Sequence, residues 1–105
     1  MTTEEKTELL KDVARLAPKE WDAHTRVSEL RLHLGGHICD VDYNEITNAF
    51  LALALLKWLG KDYDVAPNYK GEWDCGGPYP LCFSDPEPVY AVLLAVRERL
   101  KEMEG

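Results

Sequence analysis

The sequence predicts an α+β fold: three to four helices and a small antiparallel β-hairpin or sheet in a single compact domain spanning residues 1–105. Three observations lead there. Apolar residues recur at helical spacing near both ends and around residue 50. A Gly35-Gly36 pair sits between two runs that alternate apolar and polar. Residues 61–85 concentrate glycine and proline among aromatics. A chain of 105 residues is one domain and can bury one core.

The first helix opens on a capping box formed by Thr2 and Glu5, and Glu4 and Glu5 suit the positive end of the helix dipole. Leu9, Leu10, Val13, Leu16 and Ala17 make its apolar stripe, and Pro18 ends it.

Residues 19–42 admit two readings. As a helix, Ala23, Val27, Leu30 and Leu34 form a stripe capped by Gly35-Gly36. As a hairpin, Gly35-Gly36 is a two-residue turn. Leu30 then faces Val41, Leu32 faces Cys39, and Arg31 faces Asp40. A short helix over 19–27 followed by this hairpin is preferred, because one arrangement accounts for both arms.

The next helix runs from a cap at Asp42 or Glu45 to Gly60. Its residues, from Ile46 through Leu59, are so apolar that burial on more than one side is expected. Residues 61–85 leave room for two short strands, one near 63–66 or 72–74 and one near 81–83. Asp85 as N-cap and Pro86 at the first position start the last helix. Val89, Val92, Leu93, Val96, Leu100 and Met103 form its stripe.

Charge separates the candidate functions. The net charge is −7. Between residues 36 and 88 there are nine acidic and three basic side chains, so six of the seven net charges sit there. Direct nucleic-acid binding through phosphates is disfavoured, because there is no basic patch to release counterions. A protein partner with a basic surface is the physically easier one. No apolar run is long enough to span a bilayer, and the polar, acidic N-terminus is unlike a secretory signal. The expected location is therefore the cytoplasm.

Within the acidic middle, Tyr63, Tyr69, Trp73 and Tyr79 alternate with Asp62, Asp64, Glu72 and Asp74. Aromatic anchors ringed by charge are what protein-binding surfaces use, so these eight residues are the candidate partner-binding set. The competing reading folds the same rings inward over the end of the core.

No catalytic residue and no cofactor is expected. A zinc or thiol site would draw on His37, Cys39, Cys75 and Cys82, but their spacing matches no zinc knuckle. Asp74 next to Cys75 would disfavour a thiolate.

Residues 43–104 also resemble the phage α-β-α (ABA) sandwich domains, a family of unknown function. The resemblance is carried by the turn Lys57-Trp58-Leu59-Gly60, by Trp73, and by Pro80-Leu81-Cys82-Phe83-Ser84-Asp85 leading into an amphipathic helix. The chain departs from the pattern at Cys82-Phe83, where a tyrosine is usual before the serine, and at Pro86 and Pro88. The resemblance implies a bacteriophage origin, in the host cytoplasm, and no reaction. The expected function is an acidic, non-enzymatic protein-binding module, monomeric or homodimeric, that occludes a basic surface as an inhibitor of a defence system or a toxin-immunity protein does. The alternatives are the zinc or thiol protein and a phage structural component.

Overall fold

A computed structural model describes residues 1–26, 29–42 and 44–104. The first helix, α1, spans Thr3–Leu16. Its capping box is formed: Thr2 Oγ1 accepts from the Glu5 amide and Glu5 Oε1 from the Thr2 amide, both at 3.1 Å. Leu9, Leu10 and Val13 are buried beneath it. Ala17 is already extended, the conformation that a following proline imposes.

The helix expected over 19–27 is not formed. A single 3-10 turn, Lys19–Trp21, ends on Asp22 in the left-handed region, and the chain enters strand β1, His24–Arg26. Val27, the last residue of the expected helix, lies outside the described residues. The physical reason is Trp21. One turn suffices to deliver its ring to the core, where it meets Trp58 edge-on at 4.9 Å. Residues 24–26 then gain more from pairing with the next strand than from continuing a helix with little to bury.

That next strand is β2, Glu29–Leu34, and it returns through Gly35-Gly36 into β3, His37–Val41. Both glycines have positive φ, as a tight hairpin turn needs. The register is the expected one, with Leu30 opposite Val41, Arg31 opposite Asp40 and Leu32 opposite Cys39. Arg31 Nε donates to Asp40 Oδ1 at 2.8 Å on the outer face. Leu30, Leu32, Leu34, Cys39 and Val41 fill the inner face.

Helix α2, Glu45–Leu59, is capped by Asn44 rather than by Asp42 or Glu45. Asn44 Oδ1 accepts from the amides of Ile46 and Thr47. Asp42 instead accepts from the Asn44 amide, and its own backbone pairs with the Asn48 side chain. Gly60, at φ 105°, closes the helix. The expected burial on more than one side holds, with two neighbours, but the apolar run is not covered all round. Only Leu51, Ala52 and Leu55 are buried, while Ile46, Phe50 and Leu53 are exposed. Helix α2 packs against β3 on one side and the last helix on another, and its third side faces solvent.

Three strands follow: β4 Asp64–Pro67, β5 Trp73–Gly76 and β6 Cys82–Asp85, in antiparallel order β4-β5-β6. The two places that competed for one strand are both strands and pair with each other. The last helix, α3 Pro88–Glu104, begins two residues later than expected. Asp85 accepts from the Glu87 amide at 2.9 Å in the lead-in turn, and Pro88 takes the first helical position. Its predicted stripe is buried, apart from Met103 near the end. Tyr90, Ala91 and Ala95 are buried as well, because α3 runs between α1, α2 and the second sheet. The result is a single compact α+β domain with two small three-stranded sheets.

Candidate functional site

Alternation along β4–β6 divides the second sheet into two faces. Val65, Cys75 and Phe83 share one cross-strand row, and Pro67, Trp73 and Asp85 another. The first row turns toward α3, as do Trp73 and Asp85 of the second, while Pro67 at the edge is exposed; Cys75 and Asp85 are fully covered, and Val65 and Phe83 pack on the core. The intervening rows, Asp64 with Gly76 and Cys82, and Ala66 with Asp74 and Ser84, turn outward.

The outward face is acidic and held in shape. Asp74 Oδ1 accepts from Ser84 Oγ and from Asn68 Nδ2. These two hydrogen bonds, the serine's first, hold its carboxyl below the ordinary aspartate range, so the charge is oriented as well as present. Asn68 also organises the β4–β5 turn, where its Oδ1 accepts from the amides of Lys70 and Glu72. That turn projects Tyr69, 94% exposed, from one end of the sheet. The loop between β5 and β6 projects Tyr79, 98% exposed, from the other, and is closed by the Gly77 amide on the Leu81 carbonyl.

The eight candidate partner-binding residues do not form one pocket. Tyr69, Glu72 and Asp74 line a depression of about 320 Å³ with Pro67 and Ser84. Asp62, Tyr63 and Tyr79 line another of about 480 Å³ with Arg99 and Glu102 from α3. Asp64 is exposed on the outer face. Tyr63 and Trp73 turn inward. The Tyr63 ring lies so close to Gly77 that a Cβ there would sit 2.5 Å from it, and burial raises its phenol pKa. Trp73 lines a separate groove of about 300 Å³ with Ala49, Pro86, Pro88 and Val89. Six of the eight residues thus belong to the outer face or its two ends, and two serve as walls.

The candidate thiol and metal residues are dispersed. Cys39 and Cys75 are buried, and Cys82 is exposed. Burial, then the Asp64 carboxylate, pushes the Cys75 thiol up to about 11, so the opposing carboxylate is Asp64 across the strand pair rather than Asp74 beside it in sequence. Cys82 lies opposite Gly76, on the other face of the sheet from Cys75. His37 is exposed on β3 in the other sheet. Among the described residues, no group of three or more His, Cys, Asp or Glu side chains is placed to hold a metal ion.

Two features escape sequence reasoning. Asp22, in its left-handed turn, brings its carboxylate 3.3 Å from His24 Nε2 and 3.9 Å from His33 Nε2. Nothing in the sequence announces a left-handed aspartate between a turn and a strand. The exposed face of α2 is the other. Its spacing is present in the sequence but hidden, because the rest of the helix is equally apolar. A polar depression of about 570 Å³ also lies beside β1–β3, where Arg31 is committed to Asp40. Among the described residues, no helix is long and apolar enough to cross a membrane. No protein family, curated protein or solved structure matches the chain.

Proposed function

We propose that the protein is a non-enzymatic binding module that lays the outer face of β4–β6 on a basic protein surface and blocks it. The observation that carries this reading is the pair of tyrosines, Tyr69 and Tyr79, standing almost wholly in solvent at opposite ends of a face that holds Asp64 and Asp74. Tyrosine is an efficient anchor, since it offers a large rigid ring and one hydroxyl at low entropic cost. The carboxylates steer a cationic partner into contact, and Asp74 requires no reorientation to receive an arginine or lysine.

The resemblance of residues 43–104 to phage domains makes a bacterial host the place to seek the partner. It makes inhibition of a defence system, or immunity to a toxin, the form that the occlusion takes.

The test is a pull-down from host lysate at low and high salt, followed by binding measurements on any captured protein. A captured basic protein should bind faster at low salt. Tyr79→Ala and Tyr69→Ala should each weaken it about 10-fold or more. Asp74→Asn should slow association. A partner indifferent to all three substitutions refutes this surface.

A further inference from the structure

We propose that the exposed face of α2 is a two-fold interface through which two copies of this chain associate in antiparallel fashion. Ile46, Phe50 and Leu53 are 71%, 66% and 65% exposed. With Lys57, they follow the i, i+4, i+7, i+11 spacing of one helix face. A free side chain of this kind presents roughly 200 Å², so the three leave about 400 Å² of apolar surface in water, within the range of the largest patch a monomer tolerates and often a functional one.

Three features select a second copy as the occupant. The first is shape. This ridge runs beside the groove between α2, β5 and the start of α3, whose walls include Ala49, Trp73, Pro86 and Pro88. A ridge and a groove of the same apolar chemistry on one surface are what an isologous interface needs, because each copy offers both halves. The second is charge. Lys57 closes the C-terminal end of the face, and Asp42 and Glu45 stand at its N-terminal end. An antiparallel pairing centred between Ala49 and Phe50 sets Ile46 against the partner copy's Leu53 position and brings each Lys57 to the acidic end of the other helix. A parallel pairing would set lysine on lysine. The third is area. Two ridges contribute about 800 Å², and the groove walls bring the total near the lower limit of specific interfaces, so the dimer is weak, with a dissociation constant in the micromolar range. A lipid surface fits less well, since helices that lie on membranes ring their apolar face with lysine and arginine. Here the rim of the groove carries Glu45 and Glu87.

Analytical ultracentrifugation of the full chain from about 1 to about 500 µM tests the proposal. The expected result is a reversible monomer–dimer equilibrium with no larger species, abolished by Phe50→Glu with the far-ultraviolet circular dichroism unchanged. In a Cys82→Ser background, oxidised Ala49→Cys should cross-link two copies across the axis. Lys57→Cys should not, because antiparallel pairing holds the two positions about 22 Å apart along the helices. A chain that stays monomeric throughout overturns the proposal, as it would if a different protein covers the ridge. So does a dimer indifferent to Phe50→Glu, or one that cross-links as readily through position 57 as through position 49. Phe50→Glu, Ala49→Cys and Lys57→Cys leave the outer face of β4–β6 untouched, and Cys82→Ser, at a position on that face, is common to both cross-linking variants, so the two proposed surfaces fail or stand separately.

Discussion

Cys75, Cys39 and Cys82 should separate cleanly under a thiol reagent. Cys75 is fully buried in the central strand of the second sheet, with its pKa pushed up to about 11. At pH 7, only about one molecule in 10⁴ carries its thiolate, before any cost of opening the strand to admit a reagent. Burial raises Cys39 in the same direction. Cys82 stands on the outward face and is exposed. Ellman's reagent should therefore label one thiol per native chain rapidly and the other two only as the protein unfolds in guanidinium. Cys82→Ser should abolish the fast phase. Two thiols reacting fast in the native protein, or a fast phase that survives Cys82→Ser, would refute the burial assigned to the sheet and revive a thiol mechanism.

The same burial sets an alkaline limit on stability. The folded chain holds the Cys75 proton more tightly than the unfolded chain, whose thiol titrates near 9.0. This contribution is complete below pH 9 and is lost as the pH rises to about 11, a difference worth about 3 kcal/mol. Tyr63 and Tyr90, also raised by burial, add to the loss above their ordinary range. The measured quantity is therefore a difference: the urea midpoint of Cys75→Ala should fall less between pH 9 and 11 than that of the parent. Equal slopes would contradict the assignment. Trp21→Phe and Trp58→Phe, combined in a double-mutant cycle, should show about 0.5–1.5 kcal/mol of coupling in denaturant titrations from their edge-on contact. Leu51→Ala should cost about 2–5 kcal/mol. Leu53→Ala, measured dilute enough for the chain to be monomeric, should cost under about 0.5 kcal/mol, although it lies two residues away. Thr2→Ala should lower stability by about 1 kcal/mol and the melting temperature by a few degrees, by removing one arm of the capping box.

Features made by neighbours in the chain are legible in the residues themselves. The Thr2–Glu5 capping box, the Gly35-Gly36 turn and the register it sets, and the stop at Gly60 each depend on a few adjacent residues and on backbone sterics that hold in any surroundings. The outward placement of Tyr69 and Tyr79 is half legible. Glycine and proline mark their loops, but the same composition serves the inward reading, which holds for Tyr63, while Trp73 is half-buried as a groove wall. What the tertiary structure alone decides is how many neighbours each helix has. Helix α2 is the more continuously apolar and keeps one face in water, whereas α3 reads as one-sided and is covered by α1, α2 and the second sheet. Hydrophobicity states that a surface gains by leaving water; it does not name the surface that will cover it. Covering depends on contacts between residues far apart in the chain, such as Trp21 on Trp58, and these exist only once the whole chain has packed.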